Sequence, residues 1–273
     1  MELYEKNYEL VFEEDFSGGL EANKWVALDE TVKAHYSKPK NTDFIPSHVV
    51  TMAAAKHEGS NMHYDPKNVA VKDGALVITA GRDDEGFNGG KAVCNGLVFA
   101  HGYVEVEAEL PDFQKGVWPV FSLVSTEGTA YKADFDVIAV HGDKGQNATN
   151  MYIRWIDEIY ETPHKIGCLF GRPKRFYPEA AGEKLAPGVH KFGIEITSDF
   201  ITFYVDGNEV SRRDVTPSTY QVLGRRNFLK FTAGLSIGLP NIDAPEDDAD
   251  FPTEFKIKNI KLYQNEGDLL VKR

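Results

Sequence analysis

The chain has 273 residues and a mass of 30.5 kDa, enough for one large domain or two small ones. Its 42% hydrophobic and 26% charged residues are a globular composition, which argues against a disordered chain, and no window approaches the roughly 18 apolar residues of a membrane span. With 30 basic and 42 acidic residues the net charge is −12, which repels a phosphate backbone and argues against nucleic acid as a partner.

The first residues (MELYEKNYEL) lack a basic region followed by an apolar core, so no signal peptide is expected within this chain. Helical periodicity is almost absent. Period-two alternation between turn signals recurs instead. In Asn68–Ala80, Val69 and Val71 alternate with polar residues, then Asp73-Gly74 and a β-branched run follow, predicting a hairpin with a type I′ or bulged turn. Tyr103–Leu110 puts Val104, Val106, Ala108 and Leu110 on one face and Tyr103, Glu105, Glu107 and Glu109 on the other. Residues 190–210 hold two strands closed by Asp206-Gly207-Asn208, and Glu254–Tyr263 alternates again.

About a dozen such runs, closely spaced, predict an all-β, two-sheet antiparallel β-sandwich. No linker or repeat divides the chain, so residues 1–273 read as one domain. The polar segment Thr31–Asp65 and the acidic stretch Asp243–Asp250 read as long surface loops, which in compact domains are usually functional or mobile. Cys94 and Cys168 suit one bridge or two free thiols. His35, His48, His57 and His63 show no metal-ligand spacing and read as surface residues, so no metal or cofactor is expected.

Six phrases in chain order then carry a resemblance. They are the opening Leu10–Phe16 with Trp25, the hairpin at 68–80, Gly102–Pro111, Gly116-Val117-Trp118-Pro119-Val120-Phe121, His190–Gly207 and Phe251–Tyr263. Each alone is weak, but together they resemble glycoside hydrolase family 16, the laminarinase, lichenase and agarase group with a concanavalin-like jelly roll. The likeness runs from about residue 9 to Gln264. It implies a polysaccharide or oligosaccharide partner and an extracellular, cell-surface or periplasmic location.

The family's chemistry sits on one strand, E-x-D-x-x-E or E-x-D-x-E. Residues two apart share a face, and a β-bulge returns the second Glu to the face of the first. The first Glu is the nucleophile and the second the general acid/base, held roughly 5–5.5 Å apart in a retaining enzyme. The intervening Asp orients the nucleophile. The strand resembling it here is Lys132–His141 (KADFDVIAVH). Asp136 matches the middle Asp, Asp134 stands at the nucleophile position, and Ala139 stands at the acid/base position.

These departures point to an impaired hydrolase. A Glu-to-Asp change withdraws the carboxylate by one C–C bond, roughly 1.5 Å, and a misplacement of about 1 Å can cost on the order of 10²-fold. Loss of the general acid costs roughly a further 10²–10⁴-fold. Ser122 stands where the family usually has a second tryptophan, and Tyr103 and Glu107 replace arginines. Lys258 stands where the family has an Asp that helps hold calcium, and an ammonium cannot ligate a cation.

Other candidates are weighed against blander readings. His141, two residues past Ala139, could substitute as acid/base, or it could be an ordinary strand-end histidine. Trp118 and Trp155 could stack on sugar faces or pack in the core, and Arg154 lies beside Trp155. Trp25 reads as core. Arg172, Lys174 and Arg175, beside Phe176 and Tyr177, could grip an anionic sugar through arginine forks or form a solvated loop. The Glu105, Glu107, Glu109 row could line a cleft or simply face water.

The first reading is therefore a glycan-binding pseudoenzyme. The second is an active retaining endo-β-glycosidase with an unusual or engineered-inactive catalytic set. The third is a structural or protein-binding sandwich.

Overall fold

A computed structural model of the chain describes residues 8–31, 61–84, 86–126, 131–141, 146–147, 150–155, 185–214, 228–237, 250–268 and 270–272. The first strands are β1 (Glu9–Glu14), β2 (Trp25–Ala27), β3 (Glu30–Thr31), β4 (Asn61–Tyr64), β5 (Val69–Lys72) and β6 (Ala75–Asp83). Next come β7 (Gly86–Cys94), β8 (Leu97–Phe99), β9 (Gly102–Leu110), β10 (Val117–Ser125), β11 (Tyr131–His141), β12 (Gln146–Asn147) and β13 (Asn150–Trp155). The last are β14 (Gly188–Ile196), β15 (Phe200–Val205), β16 (Asn208–Asp214), β17 (Leu229–Ile237), β18 (Thr253–Gln264) and β19 (Leu270–Lys272). Among the described residues a four-residue helix, α1 (Gly19–Ala22), and a 3-10 turn at Pro66–Asn68 interrupt them. Among the described residues no helix is long and apolar enough to cross a membrane.

The strands form two facing sheets of a jelly roll. In the first, β18 pairs with β6 and β1 along one edge and with β9 along the other, then β14, β15 and β16 follow antiparallel. In the second, β13, β11, β10, β17 and β7 lie side by side, with β2 beyond β7. The hairpin of β6 and β7 joins the two sheets.

Both expected tight turns are present. Asp73 and Gly74 have φ of 52° and 70°, and Asp206 and Gly207 have 49° and 79°, the paired positive values of a type I′ turn. Such a turn matches strand twist and sets the register on either side.

Between the sheets lies a core built from the predicted alternate positions. Val104, Val106, Ala108 and Leu110 of β9 meet Phe121, Leu123, Phe135, Phe231 and Leu235 of the second sheet. Trp25 is 3% exposed and packs there, its ring 5.8 Å from Phe16. Buried Glu14 ties this corner, accepting from Phe16 N at 2.9 Å, Asn23 Nδ2 at 2.8 Å and Trp25 Nε1 at 3.0 Å. Beside it the Cys94 thiol is fully buried and donates to the Asn23 carbonyl at 3.3 Å; burial pushes its pKa up to about 11. Cys168 lies outside the described residues.

Two local expectations need adjustment. The segment Thr31–Asp65 ends in β4, which pairs in parallel with β7 and carries the fully buried Tyr64. A four-residue strand held by non-local pairing leaves no alternation to read. The alternation of β18 is also broken: its register with β9 shifts between Ile257 and Asn259, so Phe255, Ile257, Ile260 and Leu262 all reach the core.

Candidate active-site strand

The geometry that matters lies on β11. Its register with β10 pairs Val124 with Asp134, Leu123 with Phe135 and Ser122 with Asp136; it then jumps to pair Phe121 with Ile138 and Val120 with Ala139. Val137 is the extra residue of a β-bulge. Residues directly opposite each other in a ladder share a face, so Asp134, Asp136 and Ala139 all lie in phase with Val124, Ser122 and Val120. Phe135, Ile138 and Val140 turn to the core with Phe121 and Leu123. Trp118, two residues before Val120 on β10, lies on the same face as Val120 and Ser122 and is 7% exposed.

Asp136 is fully buried and accepts a hydrogen bond from Ser122 Oγ at 2.7 Å. The serine that stands at the family's second tryptophan position thus orients the central carboxylate. Ala139 is also fully buried. Its methyl group has neither a proton to give nor a lone pair to accept one.

On the other side of β11, β13 pairs Asp136 with Asn150, Asp134 with Tyr152, Lys132 with Arg154 and Tyr131 with Trp155. Arg154 is therefore in phase with Asp134 and Asp136, and Trp155 is out of phase with them. His141 pairs with Gln146 of β12, two residues from Ala139 and in phase with it. Arg172, Lys174, Arg175, Phe176 and Tyr177 lie outside the described residues, as do His35, His48 and His57.

Two contributors were invisible in the sequence. The Tyr64 hydroxyl lies 2.6 Å from Ser236 Oγ, and Ser236 is the ladder partner of Trp118 on β17. Lys91 of β7 pairs with Gly234 on this same face and holds its Nζ 5.6 Å from the Tyr64 ring centroid. Tyr64 comes from the segment expected to be loop, and Lys91 from a Gly-rich strand with no evident pattern.

The glutamate row of β9 lies elsewhere, on the outer face of the first sheet. Lys256 and Lys258 reach Glu109 at 3.0 and 3.1 Å, Lys191 reaches Glu105 at 3.7 Å, and Lys261 reaches Glu13 at 3.6 Å. The Lys256 and Lys258 contacts hold the Glu109 carboxyl below its ordinary range. An ammonium at Lys258, already engaged by Glu109, does not fit the cation site that the family resemblance implies there.

The family description "Glycosyl hydrolases family 16" matches residues 56–222, more than half of the chain. Two curated relatives from Rhizobium meliloti (strain 1021) are similar to it. Endo-1,3-1,4-beta-glycanase EglC is 28% identical over 209 residues, 73% of this chain and 40% of the relative. Endo-1,3-1,4-beta-glycanase ExsH is 27% identical over 222 residues, 76% of this chain and 43% of the relative. The chain thus spans about two fifths of the length of these relatives. Among solved structures, a laminarinase from Flavobacterium sp. UMI-01 superposes with a TM-score of 0.65 at 24% identity, covering 94% of this chain and 100% of that one. The laminarinase catalytic domain of Thermotoga maritima MSB8 gives 0.63 at 18% identity, with 96% and 100% covered. The two-sheet jelly roll, the ordered sequence phrases and the bulged strand with its in-phase carboxylates agree with the family match: the chain belongs to glycosyl hydrolase family 16.

Proposed function

We propose that this chain binds a polysaccharide or oligosaccharide in a family-16 cleft and cleaves it poorly or not at all. One observation carries the reading. The Val137 bulge brings position 139 into phase with Asp134 and Asp136, and position 139 is alanine. Retaining hydrolysis needs a carboxylate to attack the anomeric carbon and an acid to protonate the departing oxygen. Asp134 can supply a shortened version of the first. A methyl group cannot supply the second. Trp118 and Arg154 are the binding positions we assign on this strand set, and Trp155, Arg172 and Arg175 are assigned with them on the sequence. The relatives are named as β-glycanases and laminarinases, which supports a glycan ligand. A polysaccharide substrate in turn favours an extracellular, cell-surface or periplasmic setting.

The test measures binding and turnover separately. Calorimetry against laminarin, lichenan, agarose and carrageenan fragments should find at least one ligand, while reducing-end assays stay at background. Turnover at ordinary enzyme rates, roughly 1–10³ per second, would overturn the inactive reading. It would favour the second, an active retaining endo-β-glycosidase. The position of His141, in phase with Ala139, makes it the first residue to suspect for proton transfer.

A further inference from the structure

We infer that Tyr64 and Ser236 are a positioning pair: they fix the orientation of Trp118 and so set how tightly this face takes a glycan. The inference rests on the glycan-binding reading above, in which Trp118 is a binding position.

Trp118 is 7% exposed, so almost all of its indole is enclosed. A platform with so little open surface cannot turn to meet a ligand, and where it faces is set by its neighbours. The described register of β11 on β10 covers Val120 to Val124, whereas β17 runs alongside the whole of β10. Directly across from Trp118 on β17 is Ser236. Residues opposed in this way hold their Cβ atoms about 4.5–5.5 Å apart on one face. Pro119 follows Trp118 and brings no N–H to the ladder. This end of β10 therefore has one main-chain donor fewer and leans more on side chains.

Ser236 in turn is tied to Tyr64, the two hydroxyl oxygens 2.6 Å apart. With that bond made, the wall that Ser236 presents to Trp118 has one arrangement. Tyr64 has no exposed surface and Ser236 is 1% exposed, so neither touches a ligand in the cleft. Whatever they do to binding passes through Trp118. Tyr64 itself is delivered from another part of the chain, because β4 pairs in parallel with β7 and sets Tyr64 opposite Gly89. The Gly89 carbonyl accepts from Asp65 N at 3.0 Å and from Asn68 Nδ2 at 3.1 Å, and Asn68 Nδ2 also reaches Asn88 Oδ1 at 2.9 Å. Gly90 permits this approach. A Cβ there would stand 2.6 Å from the Asn68 carbonyl oxygen, a main-chain atom that cannot step aside, and 2.7 Å from Ile78 Cγ2. The clamp on β7 thus holds the Tyr64 hydroxyl against Ser236.

The test follows the indole and the affinity together, on the intact chain. With 5-fluorotryptophan in place of its three tryptophans, fluorine NMR gives each indole its own signal, and Trp118→Phe identifies the one from Trp118. Tyr64→Phe removes only a hydroxyl, and Ser236→Ala only its partner. Each should shift the Trp118 signal. Each should also weaken several-fold the binding of whichever of laminarin, lichenan, agarose and carrageenan fragments the parent takes tightest in calorimetry. The double variant should match the singles to within about twofold, because all three break one bond. In a Trp118→Phe background, Tyr64→Phe should change affinity by less than about twofold. Tyr103→Phe, which takes a hydroxyl from a buried tyrosine on the outer face of the first sheet, should leave both readouts alone. Thermal melts establish that the variants fold. A loss of affinity that persists without Trp118 would make the pair merely structural and overturn the inference. So would an unmoved Trp118 signal, or affinity unchanged in both variants, each with glycan binding intact. No binding to any probe would overturn the glycan-binding reading and this inference with it.

Discussion

Strands β9 and β11 cross the molecule in different sheets and carry similar numbers of carboxylates to opposite ends. On β9 the pleat is regular. Every second residue feeds the core, and Glu105 and Glu109 between them meet lysines at the surface. On β11 the pleat is broken once, at Val137, and the carboxylate at Asp136 is sealed from solvent against a serine hydroxyl. An unbroken strand presents its polar face to water and its apolar face to the core. A bulge spends one residue to re-aim everything after it, which is how a family whose chemistry needs two groups five apart in phase obtains them. The contrast separates charge that dresses a surface from charge that occupies a site.

The sharpest way to press that contrast is to restore the missing groups on β11. Asp134→Glu with Ala139→Glu should raise retaining hydrolysis of a bound glycan from background by on the order of 10²-fold or more. Each single variant should stay near background, because nucleophile and acid act as a unit. Reducing-end assays, with NMR of the released anomer, check both the gain and the stereochemistry. An inert double variant that still binds sugar would show that the remaining cleft, with Ser122 in a tryptophan's place, no longer positions substrate.

A second substitution asks what holds Asp136. Ser122→Ala removes the 2.7 Å bond to a fully buried carboxylate. It should cost about 1–3 kcal/mol in denaturant melts, the penalty for a buried acceptor losing its donor. Glu107→Ala on β9, a half-buried outer-face residue, should lie within about 0.5 kcal/mol of wild type. Equal costs at the two positions would break the distinction between site and surface.

The smallest effect expected is on the glutamate row itself. Lys256 and Lys258 hold Glu109 below its ordinary range, so it stabilises the fold at neutral pH and loses that contribution as pH falls through the acid range. Glu109→Gln should lower stability by about 0.2–1 kcal/mol near neutrality, as partly exposed pairs do. Variant and wild type should converge in acid, and high salt should narrow the gap. Paired melts at several pH values would read this.

How much of this was legible differs along the same line. The alternation of β9 and the Asp-Gly turns follow from period-two patterning and from the need for positive φ, both of which are local. The bulge of β11 has no local signature: Phe135-Asp136-Val137-Ile138-Ala139-Val140 is equally consistent with unbroken pleating, and only family resemblance suggested otherwise. Tyr64 and Lys91 were missed because their positions depend on β4 pairing in parallel with β7 and on β7 pairing with β17, contacts that no short window encodes. The phase of Trp155 against Asp134 likewise follows from the β11–β13 register, which spacing alone does not reveal.

Cys94 turns the edge of the second sheet into a clock. Its thiol is doubly guarded, by burial behind β2 and by a pKa near 11 that leaves little thiolate at neutrality. An alkylating reagent can therefore reach it only when β2 lifts from β7. Peptide-resolved mass spectrometry of labelling at this one residue would time those openings directly, and comparing rates with and without glycan would show whether a ligand on the cleft face slows the breathing of the strand behind it.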